Sequence, residues 1–256
     1  TPIVEYTKKV VYLNDEEVAV IDLEEGLKLY DIADQQKTPF FQELELELEA
    51  LEKGGYEHFM LKEIFDQPKA IADTLIGRLS DNDQILIDEL HMSDSEIAAL
   101  KKIVVIACGT AYHAGMVAKY AIEKWAKISV EVEIASEYRY RQSIPNPRSL
   151  IVVVSQSGET ADTLSALRHA KQLGHPLSLS ICNVASSAMV RETKWHFLTH
   201  AGTEVGVAST KAFTTQLVAL YLLANTIAKC SKHLSLPAEK KVLEDLRHLP
   251  QAIHAV

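Results

Sequence analysis

The central part of the chain alternates short apolar runs with longer stretches of helical periodicity. Five apolar runs predict strands, and they are residues 103–107, 130–134, 150–154, 177–181 and 195–199. Three amphipathic stretches predict helices, at residues 112–125, 160–173 and 211–229. Strands that alternate with helices require right-handed crossovers and a parallel sheet with both faces covered. We therefore predict an α/β fold, a flavodoxin-like three-layer α/β/α domain with a five-stranded parallel sheet.

The first 36 residues have the composition of strands and turns. A turn signal at Asn14-Asp15 separates apolar residues 10–13 from apolar residues 18–21, and this pattern predicts a β-hairpin. Such a small piece is at best marginally stable alone. Because the chain also begins without Met, we expect these residues to be the end of a domain whose body lies upstream.

An acidic segment at residues 43–52 alternates Glu with Leu. The alternation fits a half-buried strand, but the leucine spacing also fits one face of a helix, and both residue types favour helices. We predict a helix that ends at Gly54-Gly55, a candidate hinge. The predicted divisions are a β-rich segment, a helical linker and the α/β domain, at residues 1–36, 37–57 and 58–256.

Helical periodicity also surrounds the α/β core. Residues 58–65 predict one helix, and Pro68 predicts the start of a second that runs to Leu79, because proline is favoured in the first turn. Residues 239–256 predict a last amphipathic helix.

The composition narrows the classes of partner. The formal net charge of -9 argues against nucleic acid. No apolar run approaches the roughly 20 residues of a membrane span, and the three scattered cysteines suit a reducing cytoplasm without a zinc site. Neither G-x-G-x-x-G nor G-x-x-x-x-G-K-[ST] occurs, which disfavours nicotinamide and nucleoside triphosphate. We expect no metal and no cofactor.

Three loops that follow predicted strands carry candidate chemistry, because ligands bind at the carboxyl ends of strands in open parallel sheets. Residues 155–160, Ser-Gln-Ser-Gly-Glu-Thr, combine three hydroxyls, an amide and a flexible glycine at a helix start. Free backbone N–H groups and the positive helix end there favour a phosphate monoester. The alternative is a polar loop in which Thr160 caps the helix.

The other two loops are less specific. Residues 108–113 begin Cys-Gly-Thr, where Thr110 is either a ligand group or an N-cap, and Cys108 suits a small buried position better than a nucleophile. Residues 202–211 combine small residues with Ser209 and Thr210, which either cap the next helix or bind sugar hydroxyls. Lys211 is either a ligand group or a surface residue at the helix start.

The loop at residues 155–160 resembles the phosphate loop of sugar isomerase (SIS) domains. Together with Cys108-Gly109-Thr110, residues 204–214 and the lead-in at residues 62–68, it resembles the glutamine–fructose-6-phosphate aminotransferases over nearly the whole chain. The resemblance implies a set of sugar-phosphate-binding residues, namely Thr110, Ser155, Gln156, Ser157, Thr160, Val207 and Ser209. One departure is Ala111, where the family usually has serine.

The resemblance also implies the chemistry. The family transfers ammonia from glutamine to fructose 6-phosphate and forms glucosamine 6-phosphate, as a cytoplasmic homodimer. Its glutaminase cysteine would lie upstream, and its base glutamate, ring-opening histidine and Schiff-base lysine would lie downstream. We therefore expect this stretch to bind sugar phosphate and to contain no catalytic residue.

Two alternatives remain open at this point. The S-x-S-G-x-T loop also occurs in SIS modules that sense sugar phosphates in regulators, and in single-domain phosphosugar isomerases. A regulator would normally carry a helix-turn-helix upstream, whereas residues 1–36 are acidic and strand-like. A single-domain isomerase needs no such segment, so the pattern favours the aminotransferase.

Overall fold

The computed structural model of the protein describes residues 6–43, 52–80, 84–85 and 91–256. The chain divides into two compact units, one that ends at Gly54 and one that begins at Gly55. The division into residues 1–36, 37–57 and 58–256 stays a prediction.

The N-terminal unit contains short strands in two antiparallel sheets. They are β1 (Lys9–Val10), β2 (Glu17–Asp22), β3 (Gly26–Asp31), β4 (Gln36–Lys37) and β5 (Gln42–Glu43). Strand β1 pairs with β5, and β3 lies between β2 and β4. The described part of this unit is therefore built from strands, as its sequence predicts.

The hairpin predicted around Asn14-Asp15 is wrong, because the tight turn joins β2 to β3 instead. Asp22 Oδ1 accepts hydrogen bonds of 2.8 Å from the backbone N–H groups of Glu24 and Glu25. Gly26 follows with a φ of 80°. An aspartate that bonds to the next backbone amides, followed by a glycine in the left-handed region, closes a turn. The strand before Asn14, β1, pairs with β5.

Most of the helix predicted for residues 43–52 lies outside the described residues. Its first residue, Glu43, belongs to strand β5, so the helix does not begin there.

The C-terminal unit opens with one long helix, α1 (Phe59–Leu75), which contains Pro68. The prediction of two helices with Pro68 at the start of the second is therefore wrong. Proline lacks the N–H that would bond to the carbonyl of Ile64. The side chain of Gln67 supplies the missing donor, since its Nε2 lies 3.0 Å from Ile64 O. The neighbouring glutamine thus lets the helix continue through the proline.

The five-stranded parallel sheet is confirmed. Its strands are β6 (Lys102–Ala107), β7 (Ser129–Ile134), β8 (Ser149–Val154), β9 (Leu177–Cys182) and β10 (Trp195–Leu198). The order is β10–β9–β8–β6–β7, and all neighbours are parallel. The other helices among the described residues are α2 (Asp94–Ala98), α3 (Gly109–Trp125), α4 (Ala135–Tyr138), α5 (Ala161–Gln172), α6 (Ala188–Glu192), α7 (Lys211–Cys230) and α8 (Leu236–His254).

Both faces of the sheet are covered, which confirms the three-layer architecture. Ile103 and Val105 of β6 belong to a core shared with α3 and α7, whereas Val104 and Ile106 belong to a second core shared with α5 and α6. A strand in this central position buries every side chain, which explains its continuous apolar run. Helices α1 and α8 pack on the side of α3 and α7.

The strand order reverses between β6 and β8. The chain leaves β6 toward β7 on one side and then returns to β8 on the other. In an open α/β sheet the crevice at this switch point, outside the carboxyl ends of the strands, is where ligands bind. The loops after β6 and β8 therefore meet at the predicted position of the site.

Candidate functional site

A cavity of about 390 Å³ opens at this switch point. Its lining residues come from the turn after β6 and the start of α3, the end of β8 and the loop after it, the segment before α7, and α7 itself. The lining residues are Cys108, Gly109, Thr110, Ala111, Val154, Ser155, Gln156, Thr160, Val207, Ala208, Ser209 and Gln216. All the residues proposed from the sequence therefore line one cavity, except Ser157.

The loop after β8 keeps the start of α5 open. Ser155 is buried, and its Oγ accepts a hydrogen bond of 3.1 Å from Gly158 N and lies 2.9 Å from Thr160 Oγ1. Thr160 precedes α5 but makes no side-chain cap, so the alternative that it caps the helix is wrong. Among the described residues, no side chain caps the first N–H groups of α5, which is the arrangement that binds anions.

Ser157 belongs to the same loop but is not among the residues that line the cavity. Its Oγ accepts a hydrogen bond of 3.2 Å from Glu159 N, so its hydroxyl proton stays available for another acceptor. Whether it binds a ligand stays a prediction.

Gly158 makes the loop's close approach to α6 possible. Its φ is 68°, and a Cβ placed on it would lie 2.2 Å from Ser187 Oγ and 2.5 Å from Ser187 Cβ. Glu159, which follows, accepts a hydrogen bond of 2.7 Å from Ala188 N at the start of α6. Burial raises the pKa of the Cys182 thiol beside Ser187. This cysteine therefore stays protonated and serves as a packing residue. The contacts of Gly158 and Glu159 with the start of α6 thus fix the position of the loop after β8.

The start of α3 is also open. The helix begins at Gly109, whose φ is 57°, and Cys108 at the N-cap position makes no side-chain cap. Thr110 lies inside the first turn, so the alternative that it is the N-cap is wrong. The start of α3 therefore also faces the cavity without a capping side chain.

Helix α7 differs, because a carboxylate of the protein occupies its start. Glu204 Oε1 accepts hydrogen bonds of 2.9 Å from Thr210 N and 3.1 Å from Ala212 N. Its Oε2 accepts one of 3.2 Å from Ser209 Oγ. Since that bond uses the only proton of the Ser209 hydroxyl, the Ser209 oxygen can only accept further hydrogen bonds. Lys211 is buried and pairs with Asp66 of α1 at 3.0 Å, so it is not a surface residue.

A second carboxylate, which the sequence analysis missed, holds the segment before α7. Glu63 of α1 is 2% exposed. Its Oε1 accepts hydrogen bonds of 2.5 Å from Val205 N and 3.0 Å from Gly206 N. The only available signal was its place in the lead-in at residues 62–68. Gln216, also missed, lies in a helix whose polar positions gave no sign of facing a cavity.

The positive potential at the cavity comes from the backbone. Each described residue that lines it is uncharged, although the chain carries a formal net charge of -9. Helix starts carry about half a positive elementary charge each, and those of α3 and α5 both face the cavity. Such a site suits a small anion attached to a neutral polar body, and a phosphate monoester of a sugar has that composition.

No helix among the described residues is both long and apolar enough to cross a membrane. No group of three or more His, Cys, Asp or Glu residues among them is arranged to hold a metal ion.

Comparisons with known proteins show the family of this chain. The family model described as SIS domain matches residues 96–226. Glutamine–fructose-6-phosphate aminotransferase (isomerizing) of Caldanaerobacter subterraneus is 45% identical over 98% of this chain and 41% of its own length. The protein of that name from Bordetella parapertussis is 49% identical over 98% of this chain and 40% of its own length. The chain thus spans about two fifths of these relatives.

Solved structures show the same likeness. The C-terminal domain of glucosamine-fructose-6-phosphate aminotransferase from Francisella tularensis matches with a TM-score of 0.75 and 48% identity, over 78% of this chain and 56% of that one. A glucosamine-6-phosphate deaminase from Thermotoga maritima matches with a TM-score of 0.57 and 22% identity, over 76% of this chain and 54% of that one. At that identity the second match shows a shared fold alone.

Proposed function

This chain belongs to the SIS-domain family, and we propose that it is the sugar-phosphate-binding part of a glutamine–fructose-6-phosphate aminotransferase. The observation that carries the proposal is the uncharged cavity at the switch point, onto which the open starts of α3 and α5 face. The relatives at 45% and 49% identity support the choice of enzyme.

The proposed ligand is fructose 6-phosphate or the product glucosamine 6-phosphate. We place its phosphate at the start of α5, where Ser157 and Thr160 donate hydroxyl protons and the first amides of the helix donate N–H groups. The sugar body would extend toward Thr110 on one side and toward Val207 and Ser209 on the other. Ser209 would accept a hydrogen bond from a sugar hydroxyl, because its own proton is held by Glu204.

The residues lining the cavity would bind and orient the substrate. General acid–base chemistry on a sugar usually uses a carboxylate or an imidazole within hydrogen-bond reach of the proton, and none of the described lining residues carries either group. We therefore propose that proton transfer and imine formation depend on the glutamate, histidine and lysine that the family carries beyond the matched region. Whole-protein activity, a homodimeric assembly and a cytoplasmic location belong to the same proposal.

A second candidate is a SIS module that senses sugar phosphate without catalysis. The uncharged lining of the cavity favours it as well, because a sensor needs binding groups and no base. The two candidates share the ligand, and a turnover assay separates them. Formation of glucosamine 6-phosphate from fructose 6-phosphate and glutamine by the natural protein that contains this chain would exclude the sensor.

Calorimetric titration tests the binding proposal directly. The chain should give saturable heat with fructose 6-phosphate and none with fructose. Thr160→Val and Ser157→Ala should each weaken binding by about 10-fold or more, the worth of a hydrogen bond to a charged group. Ser95→Ala serves as the control, because Ser95 is exposed on α2, before β6. Equal heats with fructose and its phosphate, or none with either, would refute the proposal.

A further inference from the structure

Gln216 is a buried polar residue whose side chain the fold leaves unsatisfied. It lies in α7, is 2% exposed, and lines the cavity. Its Oε1 is shielded from solvent and accepts no hydrogen bond from any described group. A buried carbonyl oxygen without a donor destabilises the folded protein, and most such groups in native structures have a partner.

The position of Gln216 distinguishes it from other unsatisfied groups. Asn225 Oδ1, further along α7, also lacks a partner but lies away from the cavity. Among the described residues that line the cavity, Gln216 is the one with a buried unpartnered side-chain atom. The buried residues of α7 that share its face, three or four positions away, include Ala212, Ala219 and Leu220, so an apolar side chain would suit the packing. A glutamine here therefore points to a partner that enters the cavity.

We propose that Gln216 is a further ligand-binding residue, whose carbonyl oxygen accepts a hydrogen bond from a hydroxyl of the bound sugar. This inference rests on the proposed function. The last torsion of a glutamine side chain is soft, so the carboxamide can turn its oxygen toward the cavity when a donor arrives. The phosphate cannot be that donor, because its oxygens are acceptors at neutral pH. The side-chain oxygen of Gln216 therefore binds a hydroxyl of the sugar body, while the helix starts bind the phosphate.

This role has a consequence that a structural role lacks. Gln216→Met keeps the approximate size and removes the unsatisfied carbonyl. If the carbonyl serves the ligand, the unliganded variant is as stable as the parent or more stable, while fructose 6-phosphate binds more weakly. If the glutamine serves the fold, the unliganded variant loses stability. Weaker binding of fructose 6-phosphate without a loss of stability is therefore expected only if Gln216 is a ligand-binding residue.

The experiment combines thermal unfolding of the unliganded chain with calorimetry. For Gln216→Met we expect an unchanged or higher Tm and a Kd for fructose 6-phosphate raised about 3- to 10-fold, the worth of one neutral hydrogen bond. The inhibition constant of inorganic phosphate, measured by displacement of fructose 6-phosphate, should stay the same. Gln172→Met, on the exposed last turn of α5, is the matched control and should change none of these.

Three outcomes would overturn the assignment of Gln216. They are an unchanged Kd for fructose 6-phosphate, an equal weakening of the sugar phosphate and inorganic phosphate, and a Tm lowered by more than about 4 °C. Failure of the parent chain to bind fructose 6-phosphate would instead remove the proposed function itself, so the two failures are distinguishable.

Discussion

Replacing Gly158 with alanine perturbs the loop between β8 and α5 at a position where two separate costs add. The φ of Gly158 is 68°, a conformation that alanine adopts only with strain. The added Cβ would also lie 2.2 Å from Ser187 Oγ and 2.5 Å from Ser187 Cβ. The second cost is steric, and Ser187 is 1% exposed, so it has little room to move.

The expected magnitude is the sum of these two costs. The left-handed backbone conformation costs alanine about 1–2 kcal/mol. Overpacking against a buried neighbour costs about 1–3 kcal/mol. Gly158→Ala should therefore lower the free energy of unfolding by about 2–5 kcal/mol, a large part of the roughly 5–15 kcal/mol that holds a typical domain folded.

Two further variants separate the costs. Gly174 has a φ of 97° and nothing within 4 Å of its added Cβ, so Gly174→Ala should show the backbone cost alone. Ser187→Gly removes both overlapping atoms, so adding it to Gly158→Ala should recover the steric part. Urea unfolding gives the free energies. The reasoning fails if Gly158→Ala costs no more than Gly174→Ala, or if the double variant recovers nothing beyond the sum of the single changes.

Three further predictions concern affinity, loop support and pH. Ala111→Ser restores the hydroxyl that the aminotransferase resemblance expects in the first turn of α3, and calorimetry should show fructose 6-phosphate binding about 10-fold more tightly. Glu63→Ala leaves two backbone N–H groups without acceptors and should lower the free energy of unfolding, measured by urea unfolding, by about 2–6 kcal/mol. Glu63→Gln keeps a carbonyl acceptor and should lower that free energy much less. Burial, and then the charge of Lys102, lowers the pKa of His175 from its ordinary 6.5. Because the unfolded chain then binds the proton more readily, the free energy of unfolding should fall as the pH drops below about 6.5. His175→Asn keeps a donor toward Ser149 and should make this pH dependence weaker.

Each of these predictions has a contradicting result. A serine at position 111 that leaves the affinity unchanged would mean that the backbone alone supplies the donors of α3. Equal losses for Glu63→Ala and Glu63→Gln would show that the acceptor oxygen is not what matters. A pH dependence identical in the parent and His175→Asn would assign the titration to another group.

The sheet was predictable because its physical signal is local. Strand β6 buries Ile103 to Ala107 on both faces, and a continuous apolar run of this length is typical of a central parallel strand. The N-terminal turn was not predictable in the same way. Asn14-Asp15 is a sound turn signal, but β1 finds its partner in β5, which lies more than 30 residues further along the chain.

The site was predictable where its residues follow strands and not where they come from distant helices. The hydroxyls of residues 155–160 lie together in sequence because they form one loop. Glu63 lies 142 residues from Val205, and no local pattern joins them. Gln216 occupies a buried face of α7, where position in the sequence does not distinguish a cavity wall from a core. Contacts of this kind become visible only when the chain is folded.

The hydrogen bonds between α1 and the segment before α7 determine which residues must be transferred together when this domain is exchanged between proteins. The family segment, residues 96–226, does not include α1. Yet Glu63 supplies the acceptor for Val205 and Gly206, and Thr74 donates a hydrogen bond of 2.5 Å to Thr199 O after β10. A chimera that joined residues 96–226 to a foreign sequence would leave these donors and acceptors unmet. The smallest transplantable module therefore begins before α1, some forty residues ahead of the family boundary.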